Sequence, residues 1–297
     1  MEFRPPRAVG TLIGGALAAW CLLVCVALVA RAVVTDVDLS DIALYIAATV
    51  FFAIGLLFAY WTYSLGTLRY TLDRNALTIV WGDIRQTVPI SQIERLVPGR
   101  ELANPHIAGV SWLGHHVGRG EVEGGIGRTL FYSTHRSPEH LLYVVTPAQS
   151  YAITVEDEVA FADAVQSQQR VGSLISVQQG PERLYLAAQP FWADRAAQGL
   201  ALAAFAMFFA MFAYVYQQYP GLPQSIALSF PELEGITRIG SKDELLKIPA
   251  AGIIILLVNL ALGFVAHSWE RMVGYLLLIA AISAQAMLLV AAVIALN

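Results

Sequence analysis

His115 and His116 stand side by side at the head of a glycine-rich stretch that contains Gly114, Gly118, Gly120, Gly124, Gly125 and Gly127. Such residues could ligate a metal or cradle a phosphate. Zinc sites need three or four ligands at recognised spacing, but the remaining histidines of this region, His106, His135 and His140, are scattered along it. The glycines fit neither G-x-G-x-x-G nor G-x-x-x-x-G-K-[ST], have no lysine among them, and do not lie between a strand and a helix start. They read as an irregular, flexible strand-linking crossing. Cys21 and Cys25 sit one helical turn apart in an apolar run, where thiols act as small apolar groups. There is no C-x-x-C-H for haem, and only His267 lies near an apolar run. No G-x-S-x-G elbow is present for a serine hydrolase. The expectation is a chain with no catalytic residues, no metal and no cofactor.

The elements that surround these residues explain why chemistry is scarce. Of 297 residues 57% are hydrophobic and only 13% charged, with a mean hydropathy of +0.60, too apolar for a soluble enzyme of this length. About 20 apolar residues in a helix cross a bilayer. Five charge-free intervals reach that length: Ala8 to Ala30, Ile42 to Leu68, Ala196 to about Gln217, Ile248 to Trp269, and Met272 to Asn297. Transporters usually carry ionisable residues inside their spans, and these runs contain no Asp, Glu, Lys or Arg. A net charge of −4 gives no basic footprint for nucleic acid.

The predicted organisation is an α-helical integral membrane protein of five transmembrane helices with one inserted domain. Residues 1–66 hold two spans, at about 8–30 and 42–66, and 67–170 form the insert. A linker at 171–195 leads to a third span at 196–217, an extracytoplasmic loop at 218–247 and a transmembrane hairpin at 248–297, with helices at about 248–269 and 272–295. Arg4 and Arg7 place the N-terminus in the cytoplasm, and counting spans then places the insert there too. Within the spans, Gly10 and Gly14, extended by Ala18, form a small-residue face that lets another backbone approach the first helix. Asn259 and Gln285 lie near the midpoints of the last two spans, whose two-residue connection makes them antiparallel, and could hydrogen-bond across the hairpin.

Inside the insert the hydrophobic period changes to two. Thr67 to Leu72, Ala76 to Trp81 and Ile84 to Ile90 read as a three-strand meander, the first turn being Asp73-Arg74-Asn75. Ser91 and Glu94 have capping-box spacing and predict a short helical turn ending near Pro98-Gly99. Strands resume at Thr129 to Ser133, Leu141 to Thr146 and Tyr151 to Val155. Glu156 to about Arg170 closes the insert as a helix with Phe161 and Val165 turned to the sheet.

The run Tyr70-Thr71-Leu72-Asp73-Arg74-Asn75-Ala76-Leu77, then Trp81-Gly82, then Val88-Pro89-Ile90-Ser91-Gln92-Ile93, together with Tyr151-Ala152-Ile153-Thr154 leading to Asp157 and Phe161, resembles a bacterial pleckstrin-homology (PH) domain. The resemblance implies a curved antiparallel sheet of seven strands capped by a C-terminal helix, and a role in binding or assembly rather than catalysis. In the 218–247 loop and the start of the next span, Leu222-Pro223, Phe230, Gly235, Arg238, Gly240-Ser241-Lys242 and Ile248-Pro249 are similar to a short motif of bacterial multi-span proteins, including immunity proteins of the sporulation-delay type. Ser229 stands where that motif usually has histidine.

These readings lead to a non-enzymatic membrane protein whose insert docks another membrane or cytoplasmic protein. A second reading is a sensor or immunity-type protein that recognises a ligand or peptide through the 218–247 loop. Between Thr67 and Arg195 there are 11 arginines, no lysine and 13 acidic residues, a net of −2. Phosphoinositide headgroups need a basic cluster, so protein is the expected partner.

Overall fold

The computed structural model describes residues 1–34, 37–38, 40–229 and 237–296; Asp36, Phe230, Gly235 and Asn297 of the sequence reading lie outside the described residues. The chain divides into two compact units, Met1–Leu23 with Phe51–Ala188, and Val24–Val50 with Gln189–Asn297.

The first unit opens with a two-residue strand, β1 (Glu2–Phe3), and two long helices, α1 (Ala8–Val34) and α2 (Ser40–Gly66), contribute their outer parts to it. At 27 residues each, a rise of about 1.5 Å per residue makes both longer than a bilayer's hydrocarbon core. β2 (Arg69–Leu72), β3 (Ala76–Trp81) and β4 (Ile84–Pro89) form the expected antiparallel meander. Its first turn is closed by the Asp73 carboxylate, which accepts from the Asn75 and Ala76 amides at 2.7 and 2.8 Å.

A second sheet follows, built from β5 (Arg95–Pro98), β6 (Ala108–Trp112), β7 (His115–Val122), β8 (Gly127–Ser133), β9 (Leu142–Val145) and β10 (Ser150–Ile153). α3 (Glu158–Val171) packs Phe161, Ala164 and Val165 into the core, and its N-cap Asp157 accepts from the Ala160 amide. β11 (Gly180–Arg183) pairs with β4. The sheet orders are β1-β2-β3-β4-β11 and β5-β9-β10-β8-β7-β6.

Three expectations are corrected. The insert has two sheets rather than one seven-strand sheet, and β8 and β10 run parallel, Tyr151 lying opposite Leu130. The Ser91–Glu94 spacing opens no capped helix: a 3-10 turn covers only Ile90–Gln92 without a side-chain cap, and the chain then extends into β5 because β9 offers it a ladder, Arg95 opposite Val145. The glycine-rich stretch is no irregular crossing either. β7 runs through most of it, paired to β6 and β8, and Gly109 faces Gly118 so closely that a Cβ on Gly109 would lie 2.6 Å from the Gly118 Cα. Glycine here permits strand approach rather than flexibility.

Side chains alternate across β8, β9 and β10, and both faces are buried. Tyr132, Leu142, Val144, Tyr151 and Ile153 join Tyr70, Leu77, Ile79 and α3 in one core. Phe131, Tyr143, Val145 and Ala152 join Val122 and Ile126 in another. The Tyr70 hydroxyl ties strands of the two sheets by donating to the Tyr132 carbonyl at 2.7 Å; burial pushes its pKa up.

In the second unit α4 (Arg195–Gln218) is capped by Asp194, which accepts from the Ala196 and Ala197 amides. β12 (Ser225–Ser229) and β13 (Thr237–Ser241) pair antiparallel, and α5 (Lys247–Ala266) and α6 (Arg271–Leu296) follow. Ala204, Met211, Val215, Leu256, Ala281 and Ala292 are buried among the helices. Among the described residues, α1, α2, α4, α5 and α6 are the five helices long and apolar enough to cross a membrane.

Candidate functional site

A basic residue stands at the first turn of the meander, between β2 and β3. Arg74 is the basic residue there, and it is already engaged: its Nε donates to the Gly172 carbonyl at 3.0 Å and a terminal nitrogen to the Val171 carbonyl at 3.4 Å. The guanidinium satisfies carbonyls that the end of α3 leaves open, as a cation at a helix C-terminus does. Asn75 reinforces the same contact by accepting from the Leu174 and Ile175 amides. The turn therefore works as a clasp on α3. Residues 68–169 match the family model of the bacterial PH domain. No curated protein and no solved structure matches the chain. The PH match covers about a third of the chain, leaving out β11 and the five long helices.

Within the first unit, two turns of this PH-like domain grip the ends of α1 and α2. The β3–β4 turn is held by Gly82, whose amide donates to Thr67 Oγ1 at 2.7 Å. Gly82 has φ +55°, and a Cβ there would lie 2.9 Å from the Ser64 Cβ, so both conformation and space require glycine. The β6–β7 turn carries Trp112 against α1, donating from Nε1 to the Gly10 carbonyl at 3.3 Å, with its ring beside Phe58 and Trp61 of α2. Gly10 meets the carbonyl of Gly114, and Gly14 meets Thr62 and Trp112. Ala18, one turn further, is 7% exposed. The backbone that approaches Gly10 on this small-residue face belongs to the chain itself.

His115 lies within the grip. It is fully buried, stacked on Trp81 with ring centroids 6.0 Å apart and tilted against Trp112 at 4.3 Å, and its Nε2 accepts from Trp81 Nε1 at 3.1 Å. That bond places the neutral ring's proton on Nδ1. Burial depresses its pKa to about 4. His116 points elsewhere, its Nδ1 2.7 Å from Ser111 Oγ; burial first, then Arg136 and His135, bring it too to about 4. The rings of His135 and His140 meet at a tilt, centroids 4.7 Å apart. Among the described residues no group of three or more His, Cys, Asp or Glu is placed to hold a metal ion. The adjacent histidines thus serve packing, a role that would have been readable only from the tryptophans at 81 and 112.

In the second unit, the half-buried Asp194 and Tyr275 meet the buried His267. The Asp194 Oδ2 lies 3.2 Å from His267 Nε2 and accepts from the Tyr275 hydroxyl at 2.5 Å. The Tyr275 bond, with the Ala197 and Ala196 amides, holds the Asp194 carboxyl below the usual range. Gly274 packs on the imidazole, and a Cβ there would lie 2.8 Å from Nδ1. The cluster ties the N-cap of α4 to the α5–α6 turn.

The structure does not join Asn259 to Gln285. Asn259 Nδ2 donates to the Ile255 carbonyl of its own helix at 2.9 Å, while buried Gln285 reaches across the hairpin to the Gly252 carbonyl at 2.9 Å. Residues 252 and 259 are two helical turns apart, too far for one amide to serve both. Asn259→Leu and Gln285→Leu should therefore be additive, with a coupling below about 0.3–0.5 kcal/mol in a double-mutant cycle on thermal stability. Gln285→Leu alone should cost no more than about 1 kcal/mol, because it removes the Gly252 bond and an unpartnered Oε1 together. A coupling above 1 kcal/mol would restore the direct contact.

Proposed function

We propose that the chain is a multi-pass membrane protein whose PH-like domain lies in the cytoplasm and docks a protein partner, without catalysing a reaction of its own. The carrying observation is the engagement of Arg74 by the end of α3, in a domain whose segment from Thr67 to Arg195 has a net charge of −2. A headgroup would have to pull that arginine from its carbonyls, and no lysine stands in this segment to replace it.

The outer edge of β6 supports the protein-docking reading. Among the described residues no strand pairs with it, and Ala108, Gly109 and Ser111 are exposed along it. An extended peptide can add to such an edge through backbone hydrogen bonds. The orientation rests on Arg4 and Arg7 at the N-terminus.

The test uses the full chain in its native membrane with a photo-crosslinking residue at Ala108 or, as a control, at Asp163 on the exposed side of α3. One protein species should be trapped from position 108 and not from 163. The purified chain should bind no soluble inositol phosphate at physiological salt. Headgroup binding that disappears in Arg74→Ala, with no crosslink from 108, would overturn the reading.

A further inference from the structure

The β3–β4 turn carries a carboxylate that nothing else in the first unit uses. Asp83 is 6% exposed, and among the described residues no hydrogen-bond donor or cation is placed on its carboxylate. Its position is fixed from both sides. Gly82 is wedged under Ser64 and bonded to Thr67, and the Asp83 carbonyl accepts from the Leu184 amide at 2.7 Å. Its oxygens are not among the buried atoms left without a partner, so they open on the groove, and a carboxylate so placed attracts a cation.

What lies in front of it is a groove of about 560 Å³ lined by Ala59, Tyr60, Tyr63, Asp83, Tyr185 and Leu186. Its walls are therefore three phenol rings, two aliphatic side chains and one carboxylate. Tyr185 holds φ 47°, the one non-glycine residue with positive φ among those described, and is 79% exposed. Such a conformation costs about 1 kcal/mol or more and persists where the surroundings impose it. Here it brings a third tyrosine to the rim of a site that already has two.

An organic ammonium ion answers each feature. Aromatic faces attract it through their quadrupoles, the carboxylate supplies the counter-charge, and Ala59 and Leu186 accept attached hydrocarbon. An inorganic cation would be poorly served, since a single carboxylate and no other anionic oxygen is offered. An anion would be repelled. We propose that this groove binds the ammonium group of an alkylamine, presented by the aminoethyl phosphate headgroup of a bilayer lipid. The lipid source rests on the reading that α2 crosses the membrane. Tyr60 and Tyr63 belong to the last two turns of that helix, where a span meets the headgroup layer. The ammonium chemistry does not depend on it.

The experiment has two arms on the full chain. In the first, the protein is placed in nanodiscs of equal phosphatidylethanolamine and phosphatidylglycerol, and retained lipids are counted by native mass spectrometry. In the second, hexyltrimethylammonium is titrated calorimetrically into the protein in a neutral detergent. Phosphatidylethanolamine should be retained several-fold over phosphatidylglycerol, at one lipid per chain. Asp83→Asn should abolish the preference and weaken the soluble cation by about tenfold or more. Tyr185→Leu, on the exposed rim, should weaken both without affecting folding. Asp163→Asn, remote on α3, should change neither. Soluble binding with the Asp83 dependence but no lipid preference upholds the ammonium site and assigns it to a free amine, leaving the membrane reading as the part that failed. Absence of both, or persistence of both in Asp83→Asn and Tyr185→Leu, overturns the proposal.

Discussion

Gly10→Ala should lower the stability of the first unit by about 3 kcal/mol, the upper range for overpacking a tight contact, whereas Gly15→Ala, five residues along the same helix, should be neutral or stabilising. The added Cβ at position 10 would strike the Gly114 carbonyl and lie 2.6 Å from Leu65 Cδ2. Neither neighbour yields easily. Gly114 is backbone, at φ +85°, and a Cβ on it would in turn lie 2.5 Å from the Gly10 nitrogen. Leu65 is fully buried. Relief would require the β6–β7 turn to move off α1, breaking the bond from Trp112 to the Gly10 carbonyl. Position 15 has nothing within 4 Å of its virtual Cβ, so alanine there adds only helix propensity, up to about 1 kcal/mol. Thermal unfolding of the full chain in one detergent, followed by tryptophan fluorescence, separates the two: a Tm several degrees lower for Gly10→Ala and unchanged or higher for Gly15→Ala. Equal shifts would mean that the turn does not rest on Gly10.

The five long helices were legible because a charge-free apolar run carries its meaning without reference to any partner. The interval from Ala196 to Gln217 becomes α4 at Arg195–Gln218, and Met272 onward becomes α6 at Arg271–Leu296. The β2–β4 meander was legible for a similar reason, its turns being encoded by Asp73 and Gly82 within the turns themselves. What stayed hidden depends on distant pairing. Arg95 to Pro98 extends because β9, some fifty residues later, supplies its ladder. β7 reads as a loop until Gly109 and Gly118 are seen to face each other. The ends of Asn259 and Gln285 depended on the offset between two helices, and a sequence fixes each helix but not that offset. The groove at Asp83 needed three segments, at 59–63, 83 and 185–186, none carrying a motif. A single aspartate in a tight turn is ordinary in sequence; its place on the wall of a groove is visible only in three dimensions.

Acidification from pH 7 toward pH 5 should weaken the PH-like domain, with His115 and His116 as the two largest contributors. Its Nε2 must stay unprotonated to accept from Trp81, and a charged ring between Trp81 and Trp112 would be cut off from water. The folded-state pKa is therefore depressed, to about 4 from 6.5, and the unfolded chain binds the proton more readily across that interval. Stability is complete above pH 6.5, falls as the pH drops through the window, and levels off below about pH 4, by up to about 3 kcal/mol for this residue. His116, depressed to a similar value, contributes a like amount with the same sign. The Asp194 carboxyl is held below its ordinary 3.8, so its contribution is lost only at lower pH and does not enter this range. His115→Gln keeps an acceptor for Trp81 and removes the titration. The measurement is Tm of the full chain in detergent from pH 7.5 to 5. Wild type should lose stability steadily, His115→Gln with a clearly smaller slope, and a variant with both His115 and His116 changed to glutamine should keep only the small remainder due to His135, which burial also lowers. A wild-type slope retained in full by the double variant, or stability that rises on acidification, would show that these two rings do not carry the effect.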